Sequence, residues 1–129
     1  ERSQLMFDTH GHVYVYMIYG MHHCLNITTD KENPGAVLIR AVEPLSNLTV
    51  MELRRQTPIK ENLCSGPGKL CQAFLVDLRF NGVELGDDIK IFDDSFIPKK
   101  RVQTTRIGIK EDVELPWRFY LDGNDYVGR

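Results

Sequence analysis

Hydrophobic and polar positions alternate most clearly between Gly11 and Asn26, GHVYVYMIYGMHHCLN. Val13, Val15 and Met17 interleave with Tyr14, Tyr16 and Ile18 at a period of two, in β-branched and aromatic residues, which predicts a strand. Gly20 offers the backbone freedom of a turn, and Leu25 and Ile27 resume the alternation, so the stretch reads as a β-hairpin. Closed symmetrically about Gly20, it sets Tyr16 against Cys24 and Tyr14 against Asn26. One face then gathers Tyr14, Tyr16 and Asn26; the other gathers Val13, Val15, Met17, Leu25 and Ile27. Tyr19 and Met21 flank Gly20 at the tip. Large aromatic and apolar side chains are poor choices for a solvated loop and suit a part that pushes into something.

Beyond the hairpin, Thr28 to Gly35 (TTDKENPG) is a polar turn region closed by Pro34-Gly35. The continuous apolar run from Ala36 to Val42 predicts a buried strand, with Arg40 inside it. Glu43-Pro44 ends the run, and Ser46 or Asn47 can cap a helix over Leu48 to Arg55, with Leu48 and Met51 on one stripe. Asn62 to Gly68 reads as a loop, followed by a helix from Lys69 to about Asp77 with Leu70, Ala73 and Phe74 at helical spacing. Asn81-Gly82 marks a turn. Short strands are predicted at Ile89 to Phe92, Val102 to Ile109 and Arg118 to Leu121. The fold class is therefore α+β: a single mixed domain with a curved, mostly antiparallel β-sheet, partly open and barrel-like, a protruding hairpin and a few helices.

Composition narrows the class without changing this picture. A chain of 129 residues with 42% hydrophobic and 26% charged residues is long enough for one core and excludes a disordered polymer. No apolar run reaches membrane-spanning length, and the N-terminus has no signal-peptide pattern. Three cysteines, an odd number without paired CxxC spacing, fit free thiols in a reducing cytoplasm. A net charge of -2 argues against bulk electrostatic attraction to nucleic acid but leaves room for a local basic surface. The chain begins at Glu1 rather than methionine, which is read as part of a longer protein or of one whose beginning is cleaved.

Arg40 is the first candidate for chemistry. A buried arginine needs an anionic or strongly polar partner, either in a structural ion pair with Glu43 or another carboxylate, or at the floor of a site. Tyr14, Tyr16 and Asn26 are individually ordinary strand residues; together they offer an aromatic surface beside an amide, the parts needed to stack on and discriminate a planar heterocycle. In Leu63-Cys64-Ser65-Gly66-Pro67-Gly68-Lys69, glycines before a helix and a following lysine form a weak anion-binding signal, without Walker A spacing. An ordinary helix-start turn accounts for it equally well. His10, His12, His22 and His23 cluster near the hairpin, but His22 and His23 point to opposite faces of a strand and no spacing completes a ligand set, so no metal site is expected. Ser65 is not in a nucleophile elbow, and Lys99-Lys100-Arg101 reads as a solvated turn.

Val13 to Met21, Cys24-Leu25-Asn26, Val37 to Pro44, Leu63 to Pro67 with Lys69 to Ala73, and Arg118-Phe119-Tyr120, in that order, resemble the alkyladenine (3-methyladenine) DNA glycosylases of the AAG/MPG type. The resemblance implies a monofunctional base-excision enzyme without metal or cofactor that flips a damaged purine out of duplex DNA and hydrolyses its N-glycosidic bond. Carried over by position, Tyr19 is the intercalating tyrosine and Met21 its companion. Tyr16, with Tyr14 beside it, stacks on the extruded base, and Asn26 senses its edge. Arg40 helps hold the nucleophilic water, to which the backbone carbonyl of Ile107 contributes, and Ser65 and Lys69 contact DNA phosphates. The family's general-base glutamate lies upstream of the hairpin, and Glu1 does not match it. Residues 1–129 are therefore expected to be the C-terminal portion of one glycosylase domain, inactive alone, monomeric or associated with an N-terminal fragment. The implied setting is a bacterial cytoplasm, with damaged duplex DNA as partner and no membrane. The alternatives are a non-catalytic damaged-DNA-binding fragment and, on fold analogy alone, an enzyme acting on a formyl group or a nucleotide.

Overall fold

The computed structural model describes residues 4–30, 32–86 and 88–128. Glu1 and Lys31 of the polar turn lie outside the described residues. The element order is α1 (Gln4–Asp8), β1 (Val13–Ile18), β2 (His22–Thr28), β3 (Ala36–Leu38), α2 (Leu48–Arg55), α3 (Pro67–Phe74), β4 (Arg101–Thr104) and β5 (Arg118–Leu121), with short 3-10 turns before and after α3. The architecture is mixed α and β. One antiparallel sheet has the order β1-β2-β3, a second pairs β4 with β5, and neither closes on itself. No helix among the described residues is long and apolar enough to cross a membrane.

β1 is hydrogen-bonded on both edges. On one side it pairs with β2. On the other, Val13 N donates to Val83 O and Gly82 N to Val13 O, both at 2.8 Å, while Val15 N reaches Asn81 Oδ1 at 2.9 Å. The Asn81-Gly82 turn thus brings the chain back along the first strand and covers its otherwise open edge. Val13, Val15, Leu25 and Ile27, the hairpin's inner face, pack against Met51 of α2, Leu70, Cys71 and Ala73 of α3, and Leu63, Cys64 and Val76. Fully burying each aliphatic side chain of this set contributes about 1.5–3 kcal/mol.

Several predicted features change in three dimensions. Met17 does not join the core: it pairs with His23 near the tip and is exposed. Thr28 is not turn but the buried last residue of β2. The run Ala36 to Val42 is not one buried strand. Only Ala36–Leu38 pair with β2, at the sheet edge with Val37 exposed; Ile39 N still reaches Leu25 O, and the chain then leaves the sheet toward Cys64, whose carbonyl accepts from Val42 N.

Helix α2 has the predicted bounds, and Asn47 holds the N-cap position. Its backbone is left-handed there (φ 56°) and its side chain makes no capping bond. Helix α3 begins earlier than predicted, because Pro67 at its start supplies a helix-ready φ. It also ends earlier, at a left-handed Leu75 whose N–H closes onto Cys71 O and Gln72 O, which leaves Phe74 exposed. Ile89 to Phe92 is not a strand, and Ile91 and Phe92 lie on the surface. The predicted strand over Val102 to Ile109 is cut to Arg101–Thr104, since β5 offers only four residues to pair with.

Candidate nucleic-acid interface and base pocket

The hairpin tip is a tight turn closed by Met21 N donating to Ile18 O at 3.2 Å. Tyr19 and Gly20 have φ of 55° and 67°, the two positive values of the primed turns that match hairpin twist. Glycine adopts this conformation freely; for a bulky residue such as Tyr19 it costs about 1–2 kcal/mol. That strain is held at a side chain 84% exposed, with Met21 beside it at 68%. Both large side chains therefore project from a backbone that fixes their direction.

Below the tip the register is as predicted, Tyr16 opposite Cys24 and Tyr14 opposite Asn26. The two tyrosine rings are 5.4 Å apart and tilted by 47°. Tyr14 and Asn26 are buried and Tyr16 half-buried. Asn26 Nδ2 donates to Tyr14 O at 3.3 Å and Cys24 O at 3.4 Å. Its amide donors thus hold the strand pair.

The start of α3 lies against the tip end of β2. A Cβ added to Gly68 would meet His22 Nδ1 at 3.1 Å, so a glycine is what allows the approach. Lys69 Nζ stands 3.5 Å from Ser65 Oγ. Ser65 and Lys69 are thereby brought next to the strand end that carries Tyr19 and Met21.

Arg40 follows β3 and is half-buried. Among the described residues Arg40 forms no ion pair with Glu43 or another carboxylate; the ion pairs there are Arg79 with Asp77 and Lys100 with Asp122. Burial, and after it the positive charge of Arg118, hold the Arg40 guanidinium below its ordinary value, while Cys24 acts in the opposite sense. Ile107 lies with the second sheet. It lines a cavity of about 490 Å³ with Arg118, Tyr120, Asp122 and Asn124; Tyr14, Tyr16, Asn26 and Arg40 are not among the lining residues. Among the described residues no group of three or more His, Cys, Asp or Glu side chains is placed to hold a metal ion. The three cysteines are buried and joined in no disulfide among the described residues, and burial pushes the Cys71 thiol up to about 12.

An exposed Tyr19 and Met21, a tyrosine pair beside a buried asparagine, and the Ser65-Lys69 helix start thus share one hairpin and its neighbour. The sequence pattern of the methylpurine-DNA glycosylase (MPG) family matches residues 1–125. Similar chains include proteins provisionally named 3-methyladenine DNA glycosylase from Methanoculleus marisnigri and Alkaliphilus oremlandii. They are 44% identical over 135 residues and 42% over 142, each alignment covering all of this chain and 70% of the relative. A similarly named protein of Francisella tularensis is 38% identical over 135 residues, with the same coverage. The chain belongs to the methylpurine-DNA glycosylase family.

Three residues of this family member were not singled out by sequence reasoning. The sequence offers His22 only as a metal ligand, yet it is one of the points where hairpin and α3 meet. Arg118 sits in a strand between apolar and aromatic residues, the same signal that draws attention to Arg40. Gly128 carries no sequence signal; its Cα packs so closely on the Ser65 carbonyl that a Cβ has no room.

Proposed function

We propose that this chain acts in base-excision repair of alkylated and deaminated purines: it flips the damaged nucleotide out of duplex DNA and takes part in hydrolysis of its N-glycosidic bond. The observation that carries this is the hairpin of a methylpurine-DNA glycosylase family member, with Tyr19 locked outward in a strained turn above the Tyr14, Tyr16 and Asn26 face. Tyr19, with Met21 beside it, fills the gap left in the stack and offsets an unstacking cost of a few kcal/mol. The extruded base stacks on Tyr16, and Asn26 Oδ1 meets its hydrogen-bonding edge. Ser65 and Lys69 take a backbone phosphate near the wedge.

Chemistry follows from the leaving group. An alkylated purine is cationic or readily protonated, so the C1′–N bond can stretch toward an oxocarbenium-like state. Arg40 and the Ile107 carbonyl orient the attacking water. The general base, which contributes about 10²–10⁴-fold, is assigned in this reading to a glutamate in a part of the domain upstream of these residues; the chain itself is then the C-terminal portion of that domain. No lysine Schiff base is involved, so an abasic site is left without strand cleavage. No metal or cofactor takes part.

A duplex carrying one hypoxanthine or one ethenoadenine tests the proposal, with binding followed by anisotropy and base release by alkali cleavage of the abasic product. Tighter binding to damaged than to intact duplex, with alkali-dependent cleavage when the upstream part is present, is the expected outcome. Binding without release under that condition supports a non-catalytic damage binder instead. Equal affinity for both duplexes overturns the proposal.

A further inference from the structure

Arg118 has a setting that the roles assigned so far do not use. It is half-buried in β5, and among the described residues it belongs to no ion pair. Its guanidinium carbon lies 4.5 Å from the Tyr120 ring centroid and its Nη2 donates to Gly128 O at 3.1 Å. These contacts fix its direction and satisfy one of five N–H donors. The side chain lines a cavity of about 490 Å³, within the size range of small-molecule and cofactor sites. Asp122 also lines this cavity, but Lys100 lies 3.8 Å from its carboxylate and offsets that charge. A partly desolvated arginine with unused donors facing an open cavity favours an anion there, and the planar fork of guanidinium matches phosphate oxygens.

The position is as informative as the chemistry. Gly128, which accepts from Arg118, packs directly on the carbonyl of Ser65. Ser65 is next to Lys69, and Gly68 touches His22 at the tip end of β2. Ile107 shares the cavity wall, and Arg40 lies close enough to feel the Arg118 charge. A continuous strip therefore runs from the wedge, through the start of α3 and the C-terminal strap, to Arg118.

We infer that the Arg118 cavity is a seat for one phosphate group, at the far end of the strip that begins at the Tyr19 wedge. The inference rests on the proposed function for its preferred source, a phosphodiester of bound DNA; inorganic phosphate shares the same chemistry. Seating a phosphate at each end of the strip holds the strand on both sides of the flipped nucleotide.

The experiment measures duplex affinity against salt between about 50 and 200 mM for the wild type, Arg118→Gln, Arg118→Lys and the exposed control Arg79→Gln. If Arg118 neutralises a DNA phosphate, Arg118→Gln flattens the log K against log salt slope by about 0.9. Arg118→Lys restores the slope, and Arg79→Gln leaves it unchanged. The slope is read on folded, active protein, so a stability loss from the broken Gly128 and Tyr120 contacts does not imitate the effect. An unchanged slope, together with a phosphate-dependent rise in melting temperature that Arg118→Gln abolishes, assigns the seat to inorganic phosphate. An unchanged slope with no such rise overturns the inference. A wild type that binds damaged and intact duplexes equally overturns the proposed function instead, while the slope still reports on Arg118.

Discussion

Tyr19 shows a trade-off held in one residue. Its φ of 55° is unfavourable for a bulky side chain, and its exposure returns nothing to the fold. Replacing it with glycine is expected to raise the melting temperature, by the equivalent of up to about 1 kcal/mol, because the left-handed strain disappears. The same change, and Tyr19→Ala, should weaken binding to an abasic duplex by about 1–3 kcal/mol, the size of a lost aromatic stack, roughly 10- to 100-fold by anisotropy. A variant that gains stability and keeps its affinity would remove Tyr19 from the wedge role. Arg40 poses the opposite case. Near Arg118 and without a carboxylate in an ion pair, its removal relieves like-charge repulsion. Arg40→Ala is therefore expected to fold with near-wild-type stability yet slow single-turnover base release by the glycosylase complete with its upstream part; a stable variant with an unchanged rate would take Arg40 out of the chemistry.

At the scale of elements, the working unit is the hairpin with α3 behind it. The strands hold register through their side-chain alternation, and α3 meets them through Gly68. Gly68→Val places branched carbons where His22 now sits, 3.1–3.3 Å from the position of a Cβ. The exposed His22 can swing away, so the cost to the fold is small, but the helix start is pushed back from the tip end of β2. Affinity for damaged and intact duplex should fall by a similar factor, since a phosphate contact carries no base information. If affinity for damaged duplex falls alone, the start of α3 takes part in reading the lesion and not only in holding the backbone.

For the whole molecule, the buried cysteines give stability an alkaline limit. Burial first, and Cys24 second, raise Cys71 to about 12, against an opposing backbone bond from Leu25; burial likewise raises Cys64, opposed by Arg55. Between the thiol's ordinary value near 9 and the raised one, the native state keeps a proton that the unfolded state has lost. Stability is then full below about pH 8.5 and falls as pH rises through this window, by roughly 1.4 kcal/mol per pH unit for Cys71. Melting temperatures measured from pH 7 to 10.5 should therefore hold and then decline, and a Cys71→Ala variant should decline less steeply. Native protein should also react slowly with thiol reagents at neutral pH, because the thiolate is the nucleophile.

Local patterning determined a good deal of this protein. The period-two alternation and Gly20 set the hairpin register down to Tyr14 opposite Asn26, the apolar stripe set α2, and the order of motifs carried the family. Each is encoded within a few residues, where backbone geometry alone decides which side chains share a face. The tertiary structure decided which faces are covered. Met17 and Phe74 have core spacing but stay exposed, and the strand expected after Ala36 stops at Leu38 while β2 runs on, because the chain turns toward the Cys64 carbonyl. It also decided which charges meet. Arg118 near Arg40, His22 on Gly68 and Gly128 on Ser65 join residues far apart in the chain. Such contacts depend on how elements dock, and no periodicity within either segment carries that information.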